Sequence, residues 1–223
     1  MATQKTKQKI VSAFLSLLAE KGWTGFDMSD VAVAAGVKLS VLRGTFASKT
    51  ACLKAFLADI DQTVLDRVDP EMAGEPARDR LFDVLMSRLD AVQPHREAVR
   101  ALMAATRKDP QLALALNAEA QVSLRWMLTA AGLPSSGFRA RMISQGLVVA
   151  FSRVVDVWLD DEDPGLARTM SALDRQLDDG EVWLSRLDRA AGLLKPLVRR
   201  ARTSRRDVRS AEDPDTPPSP SAV

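Results

Sequence analysis

Tyrosine is absent from this 223-residue sequence, cysteine and histidine occur once each, and aromatic residues make up only 5% of it. A single cysteine, Cys52, excludes an intrachain disulfide, so nothing demands an oxidising compartment. With one cysteine and one histidine (His95), the parts of a Cys/His metal centre or a histidine-based catalytic triad are missing. The chain is therefore not expected to be an enzyme, and neither a metal nor a cofactor is expected. No run approaches the roughly 18 apolar residues of a membrane span. The N-terminus, MATQKTKQKI, is basic but has no apolar signal core, so a cytoplasmic protein is expected.

Hydrophobic residues make up 46% of the chain and charged residues 27%, ordinary proportions for a protein with a substantial core. Helix formers dominate, and the scarcity of aromatics argues against sheets, so an all-α protein is expected. The net charge is only +2, but it is unevenly placed. Residues 1–56 hold eight Lys/Arg against three Asp/Glu, whereas 57–198 hold seventeen against twenty-two. Residues 199–209 hold six Arg against Asp207. A basic head on an acidic body points to an anionic partner for the head, although a solvated surface has the same charge.

Periodicity divides the chain further. Ile10, Phe14, Leu17 and Leu18 mark a first helix between Lys5 and Lys21, stopped by Gly22. Asp27 is placed to cap a short helix over 28–35. Gly36 supplies a turn, and Leu42 and Phe46 give the inner face of a third helix. Ser48 is placed to cap a fourth helix from Lys49 to about Arg67. The stretch DPEMAGEP (69–76) breaks the pattern. Further amphipathic helices are expected over 81–92, from Pro94 to near Lys108, from Pro110 to Ala131, and along 138–158. A last apolar pattern runs through Leu166, Met170, Leu173, Leu177, Leu184 and Leu187. Residues 210–223 are rich in Pro and Ser and read as disordered. The expected division is a basic three-helix head at 1–56, a larger helical bundle at 57–198 with faces for a dimer contact, and a tail at 199–223.

Several of these residues resemble the N-terminal half of the TetR family of transcriptional regulators. Ile10, Phe14 and Leu17 match the apolar positions of its first helix, and Gly22-Trp23 its glycine-aromatic helix end. DMSDVAVAAGV matches its second helix and turn; Leu42, Phe46, Ser48, Lys49 and Leu53 match its third helix and the start of its fourth. The resemblance implies a TetR-like, all-α homodimer: a three-helix, helix-turn-helix module (1–56) bound to double-stranded operator DNA, and a ligand-binding bundle (57–198) that holds a small effector. The reader helix departs from the family's usual Ser-x-Gly-x-Leu-Tyr pattern, with Ser40 at the glycine position and Arg43 at the tyrosine position. Lys38 and Lys49 are candidates for phosphate contacts, and Arg43 for a phosphate or a guanine edge. Ser40 and Thr45 are candidates for hydrogen bonds in the groove, and Leu39 and Val41 for thymine methyls.

A looser resemblance covers residues 157–183, which look like part of the ubiquinone-biosynthesis accessory family, TetR-like in fold but lipid-binding. Trp158, Asp160, Thr169, Leu173, Asp174, Arg175 and Leu177 carry it. The alternative it implies is an isoprenoid- or lipid-binding protein without a specific DNA site. Trp126, Met142, Phe151 and Trp158 are the candidate lining of a cavity for an apolar or amphipathic effector; helix packing would use the same residues. Asp163-Pro164 in DDEDP reads as a helix cap in preference to a cation site. His95 is expected to be exposed and Cys52 to be a buried, inert thiol. The segment GLLKPLVRRARTSRRDVR reads as a solvated basic arm, with a peripheral membrane contact or extra DNA phosphate contacts as alternatives; Pro196 interrupts any helix there.

Overall fold

Side-chain caps set where four of the helices begin. In the computed structural model, which describes residues 3–180 apart from the Phe138 side chain, Thr3 closes the first turn of α1 (Gln4–Lys21) by accepting from the Thr6 amide. Asp27 forms a capping box with Asp30 at the start of α2 (Met28–Ala34). Ser48 caps α4 (Lys49–Leu65), and Asp109 caps α7 (Pro110–Ala130), where Pro110 takes the first helical position. The uncapped helices are α3 (Leu39–Thr45), α5 (Ala77–Val92), α6 (Arg96–Thr106) and α8 (Gly137–Leu159). A last described helix, α9, covers 167–180. The break at 69–76 is a short 3-10 turn, Pro70–Gly74. Pro94 lies in another, Gln93–His95, which leads into α6. No strand forms among the described residues.

One continuous core runs from the N-terminal helices into the bundle. Ile10, Phe14, Val31 and Leu42 are fully buried at one end, and Leu85, Leu89, Leu128 and Trp158 at the other. Phe14 meets Trp23 and Phe26 edge-on, with ring centroids 6.2 and 5.8 Å away. The helix α4 joins the two ends: it packs against α1 and also against α5 and α7. Residue 56, the expected end of the head, lies inside α4, so this helix belongs to both parts.

Several expectations change. The helix after DDEDP begins at residue 167, not at Pro164. Asp163 accepts from the Gly165 and Ala167 amides, and Asp161 from the Thr169 amide and hydroxyl. This pulls the loop into a turn with Leu166 at φ 52°, and the Thr169 hydroxyl holds the Asp161 carboxyl below its ordinary pKa. His95 is half-buried instead of exposed, because its ring sits edge-on to Phe56 at 5.2 Å. Cys52 is fully buried, and burial pushes its thiol up to about 11. Residues Arg139–Leu159 of α8 are long and apolar enough to cross a membrane by length and composition. Here that segment is a bundle helix: Leu147, Phe151, Val154 and Trp158 enter the core, and Arg107 pairs with Asp156 at 2.8 Å. Trp183, Leu184, Leu187, the basic arm with Leu193, Leu194, Leu197 and Val198, and the Pro/Ser-rich tail lie outside the described residues.

Candidate nucleic-acid interface and bundle chamber

The turn between α2 and α3 depends on Gly36, whose φ of 58° costs a residue with a Cβ steric strain. Its amide donates to the Val33 carbonyl and that of Val37 to Ala32, which closes the turn. The helix α3 then turns Leu42 inward at 0% exposure, with Phe46 behind it as the C-cap residue. Helical geometry sends the intervening residues out. Lys38, Ser40 and Arg43 are exposed, as are Leu39 at 55% and Val41 at 39%. Neither Lys38 nor Arg43 has an ion-pair partner among the described residues, and no acid occurs in sequence between Asp30 and Asp59. Thr45 is half-buried, and its hydroxyl donates to the Val41 carbonyl at 2.7 Å, inside the helix.

Lys49 departs from its expected role at a phosphate. Its Nζ donates to the Trp23 and Phe26 carbonyls at 2.5 and 3.0 Å and lies over both rings. The ammonium thus ties the end of α1 to the start of α4, and burial lowers its pKa. Lys5, Lys7 and Lys9 on α1 are exposed and were not singled out as site residues. A Cβ built on Gly36 would lie 3.3 Å from Lys9 Nζ, so this cation reaches the turn itself. The net charge of the head was the one sequence signal for it.

A chamber of about 380 Å³, open to solvent on one side, lies between α4, α5, α6, α7 and α8. Phe151 and Trp158 line it; Trp126 and Met142, also expected there, are exposed and stand apart from it. Phe56, Leu89, Leu102, Leu116, Leu124 and Val148 supply much of the wall. The polar lining groups are few. Thr106 and Ser152 donate to carbonyls of their own helices, and Asn117 exchanges two hydrogen bonds with Gln145. Arg88 is the only charged lining residue among the described residues; it pairs with Asp61, which also accepts from Ser123. Desolvation lowers the Arg88 pKa, against the attraction of Asp61.

Most of the residues behind the second resemblance have packing roles. Trp158 is fully buried and donates from Nε1 to Gln93 at 3.0 Å, beneath the Arg96 guanidinium. Asp160 pairs with Arg100 at 2.9 Å, and Asp174 with Arg78 at 2.6 Å. Thr169 is fully buried in its bond to Asp161, Leu173 and Leu177 enter the core, and Arg175 is exposed.

No family model and no curated protein matches the sequence. Solved structures do match the fold. A TetR transcriptional regulator from Nitrosomonas europaea aligns with a TM-score of 0.63 at 19% identity, over 80% of this chain and 99% of its own. One from Rhodococcus sp. RHA1 gives 0.57 at 21% identity, over 79% and 96%. A TetR-family regulator from Streptomyces coelicolor gives 0.56 at 18%, over 90% and 89%. At these identities the likeness is one of fold: this chain has the all-α architecture of the TetR transcriptional regulators, helix-turn-helix head and bundle together.

Proposed function

We propose that this chain is a TetR-family DNA-binding transcriptional regulator, a homodimer that binds a palindromic operator as a ligand-responsive repressor. The observation that carries this reading is the head: α2, the Gly36 turn and α3 form a helix-turn-helix, and the outward face of α3 and its turn holds unpaired Lys38 and Arg43 and no acid. A second helix so presented fits the major groove, with cations toward the phosphates. Arg43 is the candidate reader of a guanine edge, and Leu39 and Val41 of thymine methyls. The bundle chamber is the candidate effector site, apolar enough for an uncharged or amphipathic molecule. Such a regulator works where the chromosome is, in the cytoplasm.

Selection of bound sequences from random duplexes tests the reading. A palindromic consensus is expected, with half-sites about one helical turn, ~34–36 Å, or modestly more apart. Binding without any consensus would overturn it. Most of the residues that suggested the lipid-binding alternative pack helices together.

A further inference from the structure

Within the chamber, one group is incompletely satisfied. Arg88 is 6% exposed and enters the lining from α5. Its Nη1 donates to Asp61, the only hydrogen bond its guanidinium makes among the described residues. No fully buried side-chain nitrogen or oxygen lacks a partner there. Nε and Nη2 therefore keep some exposure, and Arg88 is one of the residues that line the chamber. The guanidinium is fixed at one end and offers donors at the other, within otherwise apolar walls.

The charge arithmetic decides what those donors take. Arg88 and Asp61 are formally neutral together, and Ser123 adds a neutral donor to the same carboxylate oxygen. A ligand carboxylate would add a third charge beside this pair, and no other cation among the described residues lines the chamber to balance it. A neutral acceptor completes the site without that penalty. We infer that the chamber binds an apolar molecule bearing one uncharged hydrogen-bond acceptor, a carbonyl of the ketone, ester or lactone kind, with that oxygen on the Arg88 guanidinium. Thr106, Ser152 and Asn117 bond within the protein, so Arg88 is the polar handle that orients the ligand.

The inference rests on the proposed effector site but not on DNA binding, and its test contains no DNA. Three probes of equal chain length, 2-undecanone, undecane and undecanoate, are titrated into the full chain at neutral pH, with calorimetry and thermal shift as readouts. The ketone is expected to bind roughly tenfold tighter than the hydrocarbon, the worth of one hydrogen bond to a charged donor, and tighter than the carboxylate. In the double variant Arg88→Met with Asp61→Leu, which removes both charges together, the advantage of the ketone should vanish. If that variant does not fold, the comparison on the wild-type chain stands alone. Equal affinity for ketone and hydrocarbon, preference for the carboxylate, or no binding of any probe overturns the inference. A chain that selects the ketone but finds no operator keeps this inference and loses the regulator reading; the converse result does the opposite.

Discussion

Two lysines and an arginine on or beside α3 resemble one another in sequence and part company in the fold. Lys38 and Arg43 are exposed and unpaired, whereas Lys49 holds two backbone carbonyls and two aromatic faces. Removing them should therefore change different measurements. Lys38→Ala and Arg43→Ala should each reduce the slope of log K against log salt by roughly one, with stability nearly unchanged. Lys49→Ala should leave that slope alone and cost about 1–3 kcal/mol in urea unfolding, the range for charged hydrogen bonds with a cation–π contribution. An unaltered stability for Lys49→Ala, with a reduced slope, would return it to the DNA surface. His95 makes a second residue-level prediction. Burial against Phe56 lowers its pKa below the ordinary value of about 6.5. The unfolded chain then takes up the proton first as the pH falls. Its contribution to stability is therefore present above about pH 6.5 and declines through the window below. Melting temperatures between pH 7 and 5 should fall less steeply in His95→Gln than in the wild type.

Among the elements, glycines at the two ends of the reader unit have opposite meanings. Gly36 is in the left-handed region at φ 58°, so Gly36→Ala should destabilise the head by about 1–2 kcal/mol. Gly44 is inside α3, and a Cβ there would meet nothing within 4 Å. Gly44→Ala should therefore stabilise by roughly 0.5–1 kcal/mol. Urea unfolding of the two variants checks the opposite signs. These elements were legible in the sequence because their signals are local: Asp27, Gly36 and Ser48 act on backbone a few residues away, and the expected helix bounds differ from the observed ones by a residue or two. The chamber was less legible. Arg88, Asp61 and Ser123 meet across separations of 27 and 62 residues, which no periodicity records. Trp126 and Phe151 look alike as large apolar residues on amphipathic helices, and only packing separates the exposed one from the lining one. Leu166 hid the true start of α9, since a leucine does not advertise a positive φ.

For the whole molecule, the question is what the outer faces of α7 and α8 do. On α7, Leu114, Val122 and Trp126 are spaced by eight and four residues, which puts them on one ridge of the helix, at 72%, 42% and 51% exposure. On α8, Met142 is exposed, and Val149, seven residues on, is exposed at the rim of the chamber. Single exposed apolar residues need no explanation, but a ridge of them on neighbouring, packed helices suits an isologous contact with a second copy. A two-fold dimer would also present two reader helices at a fixed separation, as a palindrome requires. Light scattering should therefore give roughly twice the chain mass of 24.3 kDa at micromolar concentration. Trp126→Glu and Met142→Glu should each shift the profile toward the monomer, because a charge buried at an apolar contact has no partner there. Neither position is a fully buried core site, so helical circular dichroism should persist in both variants. A wild-type monomer, or two variants that remain dimeric, would move the self-association surface off these faces and remove the geometric basis for a palindromic site.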